Sequence, residues 1–444
     1  MLRPPLLLLA CTLLARAAAP LSVAVFQADV TPPLGTPLCH GAIEPARTIV
    51  DPLSARGLVL LGAGKPIVLV SVDWVGIANE GHDEWRQALA TATGTTMDRV
   101  RVHVVHPHDT PGYDPKAERL LEARGLGGKA FNSPFAREAI ARTARAAAEA
   151  VRKPQRITHV ALGRAEVRQV ASNRRILGPD GKVKFGRMSS CRDPQGIAAP
   201  EGLIDPWLRL VAFWDGDRPV AVLTYYATHP QSYYGKGGVS AEFVGMARSM
   251  REAALNGVPH IHFNGASGNV AAGKYNNGSP EMRPVLARRL ADGMEAAWKA
   301  AEKMPLGPAD VGFRTTKVTL PPIAGLDRKS SQATLDDPKA SLRDRIAAAR
   351  KLVWLDRGKV DLGCLALGPA RIIDMPGELF VEYQLAAQRM RPNSFVAMAA
   401  YGDYGPSYIG TRDAYPQGGY EVTVSRTAPE VEDVLMAGMR TLLK

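Results

Sequence analysis

The chain has 444 residues, 46% of them apolar, so it can bury one large core or two medium ones and is excluded from the disordered and low-complexity classes. The net charge is +12, but the arginines are spread over helical patterns such as 136–153 among Ala and Glu. No basic run is interleaved with aromatics, so the charge reads as solvated helix faces compatible with peripheral contact with an anionic membrane surface, and no nucleic-acid partner is expected.

The chain opens as an export signal. Arg3 supplies the positive start, 6–14 the apolar run and Ala17-Ala18-Ala19 a small-residue cleavage site, so 1–19 is expected to be a leader and 20–444 the mature protein, secreted or periplasmic. The apolar run is too short to span a bilayer. Leu8-Leu9-Ala10-Cys11 is a weaker alternative, a lipidation site with an unusually short apolar run before it. After cleavage Cys39, Cys191 and Cys364 remain. Cys39 and Cys191 lie in loop-like sequence and are the expected disulfide pair, whereas Cys364 lies in an apolar run and reads as a buried thiol. The absence of Cys-x-x-Cys argues against a thiolate zinc site.

Apolar strand-like runs alternate with helical periodicity almost throughout, which predicts a layered α/β architecture, a mixed β-sheet flanked by helices, in a single domain over 20–444. The predicted strands are 22–26, 55–61, 66–72, 100–105, 159–167, 207–214, 219–226, 260–264, 364–367, 370–375 and 394–400. The predicted helices are 81–93, 134–153, 241–255, 280–303, 340–355, 377–390 and 429–443, several with a capping residue or a proline in the first turn, as at Ser133-Pro134. The polar stretch 173–206 reads as a long excursion of the kind that usually carries function, and 320–339 as a further connection.

Chemistry-bearing residues fall where predicted strands end. His106-Pro107-His108-Asp109-Thr110-Pro111-Gly112 follows one strand, and two imidazoles two residues apart suit metal ligation or proton transfer. His229 ends the strand 219–226, and Glu378 follows the strand 370–375 across a Pro-Gly turn; taken singly, a satisfied core histidine and a helix-start glutamate explain them equally well. A Gly/Tyr-rich segment with Tyr401, Tyr404, Tyr408, Tyr415 and Tyr420 suggests a pocket wall carrying phenol groups. Ser267, in Gly265-Ala266-Ser267-Gly268-Asn269, lacks the spacing of a nucleophile elbow. Asp73 and Asp109 are candidates to orient a ligating histidine, or are simply cap and turn residues.

Together these pieces resemble the neutral/alkaline ceramidase family, in its N-terminal catalytic domain. Ala28-Asp29-Val30-Thr31-Pro32-Pro33-Leu34-Gly35 looks like the family's start, and 106–112 is similar to its His-Thr-His-Ser-Gly-Pro-Gly signature. Ala227-Thr228-His229-Pro230, Met375-Pro376-Gly377-Glu378 and Tyr408-Ile409-Gly410-Thr411-Arg412 resemble its later motifs, in the same order. The resemblance implies a mixed sheet flanked by helices and one catalytic Zn2+ held by His106, His229, Glu378 and Tyr408. It further implies that His108 stabilises charge on the attacked carbonyl, that Arg174 holds polar groups of the substrate, and that Tyr420 hydrogen-bonds near the scissile bond.

Two departures accompany the resemblance. The family's catalytic serine falls at Ala271, in Gly268-Asn269-Val270-Ala271-Ala272, and its C-terminal immunoglobulin-like domain has no counterpart after Tyr420. The expectation is therefore an exported zinc hydrolase of N-acyl linkages, in which metal-activated water attacks a carbonyl of a small-molecule or lipid-derived substrate. The alternatives are a zinc hydrolase of the same scaffold acting on a polar glycoconjugate or peptide, for which Arg174, Arg175 and Arg412 would be suited, and a ligand-binding protein without turnover. Sequence leaves the oligomeric state open.

Overall fold

The computed structural model describes residues 20–444; the expected leader and Cys11 lie outside the described residues. Three larger sheets carry the architecture, and all three share one construction. The first orders Val100–Val104, Ile67–Val72, Ser54–Leu61, Ser22–Asp29 and Gln155–Arg156. The second orders His260–Asn264, Arg218–Tyr226, Trp207–Asp215, His159–Glu166 and Glu302–Pro305. The third orders Val311–Val318, Val360–Leu367, Ala370–Asp374 and Phe395–Ala399.

Within each sheet the strands are antiparallel except at one edge. There a helix crosses over and returns the chain parallel to its neighbour: Glu80–Thr93 in the first sheet, Glu242–Ala254 in the second and Val381–Met390 in the third. The strands at these edges are buried on both faces; Phe395–Ala399 is apolar throughout, whereas Val100–Val104 and His260–Asn264 alternate apolar residues with Arg or His, and the buried His103 and His262 are held by hydrogen bonds.

The three parallel edges abut, and hydrogen bonds stitch them together. The Ser71 hydroxyl donates to the His262 carbonyl (2.6 Å), the Asn264 amide to the Val105 carbonyl (3.2 Å) and the Ala400 N–H to the Asn264 carbonyl (2.9 Å). His103 bridges from the first sheet to the third, through Nδ1 to the Ala400 carbonyl and Nε2 to Asp374 (both 2.9 Å). Because strands in each pair run the same way, their C-terminal ends all open into one central space.

Several local expectations are corrected. The strand at 22–26 continues to Asp29, paired along its whole length with Ser54–Leu61. The predicted connection 320–339 contains the helix Arg328–Asp336, capped by Asp327, and the strand Val311–Val318 was not anticipated because its residues are mostly half-buried or exposed. The excursion 173–206 holds a small hairpin, Arg175–Leu177 with Val183–Gly186, and the helix Pro194–Ala198. Cys39, Cys191 and Cys364 are all free thiols, so the expected Cys39–Cys191 disulfide is not formed; Cys364 is buried, as its apolar run implied. No helix among the described residues is long and apolar enough to cross a membrane.

Candidate metal centre

His106 stands two residues beyond the strand Val100–Val104, and His229 three beyond Arg218–Tyr226. Glu378 follows Ala370–Asp374 by four residues. Each therefore projects from the end of a parallel edge into the common space. Glu378 does not open a helix, as its sequence context suggested. It forms with Leu379 a short strand parallel to Tyr408–Ile409, in the register Glu378–Tyr408, and the helix starts only at Val381.

The donor atoms of His106, His229 and Glu378 all lie within 4.8 Å of one another, and all three side chains are buried. Glu378 Oε2 is 3.4 Å from His106 Nε2 and 3.1 Å from His229 Nε2. The Tyr408 hydroxyl is 3.3 Å from His229 Nε2. His106, His229 and Glu378 thus come together, and Tyr408 reaches the group through His229.

The outer hydrogen bonds define what this cluster needs. His106 Nδ1 donates to the Val75 carbonyl (2.5 Å), and His229 Nδ1 to the Ser267 carbonyl (2.7 Å). Carbonyls only accept, so each Nδ1 carries a proton, and in the neutral form of either ring a bare Nε2 faces Glu378. His106 Nε2 has no hydrogen-bond partner. Burial holds His229 below the ordinary histidine range, which favours the neutral ring. Two lone pairs and a carboxylate oxygen converging in a buried space repel one another unless a cation lies between them. The donor set suits a borderline cation such as Zn2+, and the commitment of Nδ1 to a carbonyl is the usual outer support of a metal-binding histidine.

The backbone is shaped to make the cluster. His106 adopts φ +75°, a left-handed conformation costing a non-glycine residue about 1–3 kcal/mol, which persists only where surroundings impose it. Its own N–H is held by the Trp74 carbonyl (3.0 Å). The turn 265–271 wraps His229, whose N–H donates to the Val270 carbonyl (3.0 Å). Gly268 presses on the Glu378 backbone so closely that a Cβ there would meet the Glu378 carbonyl oxygen at 2.3 Å.

The remaining expected residues surround this cluster in distinct ways. The His108 ring lies 5.2 Å from that of His106, lines the cavity beside the cluster and has an unpartnered Nδ1. Burial, and then the neighbouring His106 and His229, hold it well below the ordinary histidine range. Tyr420 sits at the mouth, 46% exposed, its ring 5.8 Å from Tyr408. Arg174 is placed differently from expectation. It is only 2% exposed, and its guanidinium donates to the Tyr408 hydroxyl (3.1 Å) and pairs with Glu421 (3.1 Å). Its Nη1 also lies 3.4 Å from His229 Nε2, so it packs against the candidate metal donors between Tyr408 and Glu421 and does not line the cavity.

Asp73 and Asp109 orient neither histidine. Asp73 pairs with Arg248 (2.8 Å), and Asp109 accepts from the Gly235 N–H (2.8 Å). Backbone carbonyls do that work instead, which no residue type in the sequence could signal. Ala271 is fully buried in a two-residue ladder opposite Ser172 and does not line the cavity. Ser267 bonds to the Tyr401 hydroxyl (2.8 Å).

Two contributors went unassigned in the sequence. Tyr404 donates its hydroxyl to Glu378 Oε1, and Glu421 anchors both Arg174 and Arg175. Both lie in the Gly/Tyr-rich segment, whose composition marked the region but not the individual residues. The cluster opens into a cavity of about 600 Å3, bounded on its inner side by His108, Glu378, Tyr404 and Tyr408.

With this geometry in view, the comparison with solved structures is direct. A structure described as ceramidase complexed with C2 matches at a TM-score of 0.73 with 16% identity, over 96% of this chain and 75% of that one. The fold is ceramidase-like. The neutral ceramidase of Pseudomonas aeruginosa matches at a TM-score of 0.70 with 17% identity, over 96% of this chain and 74% of that one. No family model and no curated protein matches the sequence.

Proposed function

We propose that residues 20–444 act as one exported, zinc-dependent hydrolase of N-acyl linkages. The observation that carries this reading is the meeting of three acceptor atoms, from His106, His229 and Glu378, at the joint of three sheets in a ceramidase-like fold. His106, His229, Glu378 and Tyr408 would hold the ion. Bound there, zinc supplies Lewis acidity and lowers the pKa of a coordinated water from 15.7 to about 7.

The chain's own groups complete the chemistry. His108, held neutral by burial and by its neighbours, can donate a hydrogen bond to an oxygen that gains negative charge at the cavity wall. Tyr420 offers a phenol at the mouth, where a substrate amide enters. Arg174 acts through Tyr408: its guanidinium, anchored by Glu421, keeps positive charge beside the phenol and fixes the ring. With Ala271 buried away from the cavity, the scheme requires no serine nucleophile.

The test is metal analysis of the purified chain, followed by turnover of a panel of N-acyl amides with and without a chelator. One equivalent of zinc and chelator-sensitive amide cleavage are expected. A metal-replete protein that cleaves no member of the panel would leave ligand binding without turnover as the better reading.

A further inference from the structure

The outer wall of the cavity differs in character from the inner one. Its lining includes Arg343, Arg350, Lys351 and Arg426, against only two carboxylates, Asp344 and Glu378. Neither acid is available to the arginines. Glu378 turns Oε2 into the candidate metal centre and accepts from Tyr404 at Oε1, and Asp344 accepts from Ser341 at the cap of the helix Leu342–Leu355. Among the described residues, none of the four cations forms an ion pair.

Arg350 and Arg426 are the informative pair. Arg343 and Arg350 are seven residues apart, two helical turns, so the helix Leu342–Leu355 turns one basic face to the cavity. Arg350 Nε and Nη2 are shielded from solvent and have no hydrogen-bond partner. Its guanidinium carbon lies 5.6 Å from the Tyr404 ring centroid, and Tyr404 is bonded to Glu378, so the free donors stand one residue away from the candidate metal centre. Arg426 is 6% exposed and has a single partner, the Gly405 carbonyl (2.6 Å). The other buried acid nearby, Asp114, is occupied by the Asn79 amide (2.7 Å). Unpaired guanidinium groups in a dehydrated wall are costly, and the group that offsets this cost is an oxyanion accepting from both. The same cavity is elsewhere apolar, lined by Ile323, Leu326, Ile346, Val422 and Val424. Cations next to the reacting centre, with an apolar surface beyond, fit an amphiphile whose charge lies close to the bond that is cut.

We infer that Arg350 and Arg426 form an oxyanion subsite and that the substrate is an N-acylated compound with a carboxylate near the scissile amide, of the N-acyl amino acid class. The inference rests on the hydrolase reading above and narrows its substrate. Water adds across the C–N bond: its oxygen joins the acyl carbon, its proton goes to the departing amine, and a fatty acid and an amino acid are released with no change of oxidation state.

The experiment uses the purified, zinc-replete chain with N-dodecanoylglycine, its neutral glycinamide counterpart and dodecanoate. Calorimetric binding and turnover are measured separately. The acid should bind at least about tenfold more tightly than the glycinamide and be cleaved with a correspondingly higher kcat/KM, the preference shrinking at high salt. In Arg350→Gln and Arg426→Gln the acid-to-neutral ratio should fall about tenfold, and Arg350→Lys should restore part of it; melting curves of all three check folding. Equal binding of acid and glycinamide to the unaltered protein overturns the subsite, while cleavage of both would leave the hydrolase reading standing. Dodecanoate binding as tightly as N-dodecanoylglycine also overturns it, since the wall would then be reading the released acyl carboxylate. Tight, charge-dependent binding of the acid without cleavage supports the subsite and removes the hydrolase reading.

Discussion

Glu378 and Tyr408 are register partners in a parallel ladder only two residues long. Thirty positions of sequence separate them, yet the ladder sets their side chains on the same face, one toward His106 and His229 and the other toward His229 and Arg174. A two-residue ladder is weak by itself. It is held by what flanks it: the Gly268 N–H donates to the Leu379 carbonyl (2.8 Å) and the Ser425 hydroxyl to the Tyr408 carbonyl (2.8 Å).

Removing a donor should remove the metal. His106→Ala and His229→Ala are expected to lose bound zinc after dialysis, as read by elemental analysis, and Tyr408→Phe to weaken zinc about 10–100-fold. Stoichiometric zinc in both alanine variants would sink the site assignment.

Glu421 should matter without touching a substrate. It holds Arg174 and Arg175 at 3.1 and 3.2 Å, so Glu421→Gln releases the arginine that backs Tyr408. We expect kcat/KM for amide cleavage to fall about tenfold, about 1.4 kcal/mol of transition-state stabilisation, with zinc content retained. Wild-type kinetics in this variant would reduce the pair to a structural role.

Gly268 is a test of packing against the ligand backbone. A methyl group there meets the Glu378 carbonyl oxygen at 2.3 Å, so Gly268→Ala must displace one chain or the other. A loss of about 1–3 kcal/mol in urea unfolding is expected, together with weaker zinc binding. Unchanged stability and metal affinity would show that the turn can yield freely.

Acid should destabilise the fold through histidines remote from the candidate metal donors. Burial lowers His82 to about 4, His260 to about 4 and His262 to about 3. The unfolded chain has the ordinary value near 6.5. A lowered folded pKa means that the native state refuses a proton the unfolded state accepts. The stabilisation is therefore complete above about pH 6.5 and lost progressively as pH falls toward 4 and then 3. Three such groups give a slope of up to about 4 kcal/mol per pH unit near pH 5. Urea midpoints measured from pH 7 to 4.5 should show this fall, and His262→Asn should flatten it by about one proton. A flat profile over that window would contradict the burial argument.

Strand ends were the legible part of the site. Each apolar run ran into Pro, Gly or His, because a chain leaving a buried strand must turn, and this marked His106, His229 and Glu378 from local pattern alone. The Tyr-rich segment was legible as a region. What could not be read was any partner supplied by the backbone: the carbonyls of Val75 and Ser267 that set the histidine tautomers belong to residues with no polar side chain role of that kind. Glu378 was misplaced at a helix start for the same reason. Its strand exists only because Tyr408 arrives beside it, and a pairing partner thirty residues away leaves no trace in local periodicity.

Sequence alone determined the α/β alternation, the positions where strands stop, and the residue types that gather at those stops, since these follow from local periodicity and turn chemistry. Tertiary structure decided that three sheets would join along their parallel edges, that donor atoms of His106, His229 and Glu378 would face one point, and that Cys39 and Cys191 would remain thiols. It also decided that, among the described residues, Arg350 and Arg426 would have no carboxylate partner in the cavity wall. The reason is that convergence is a property of how edges dock, which depends on contacts between segments far apart in the chain.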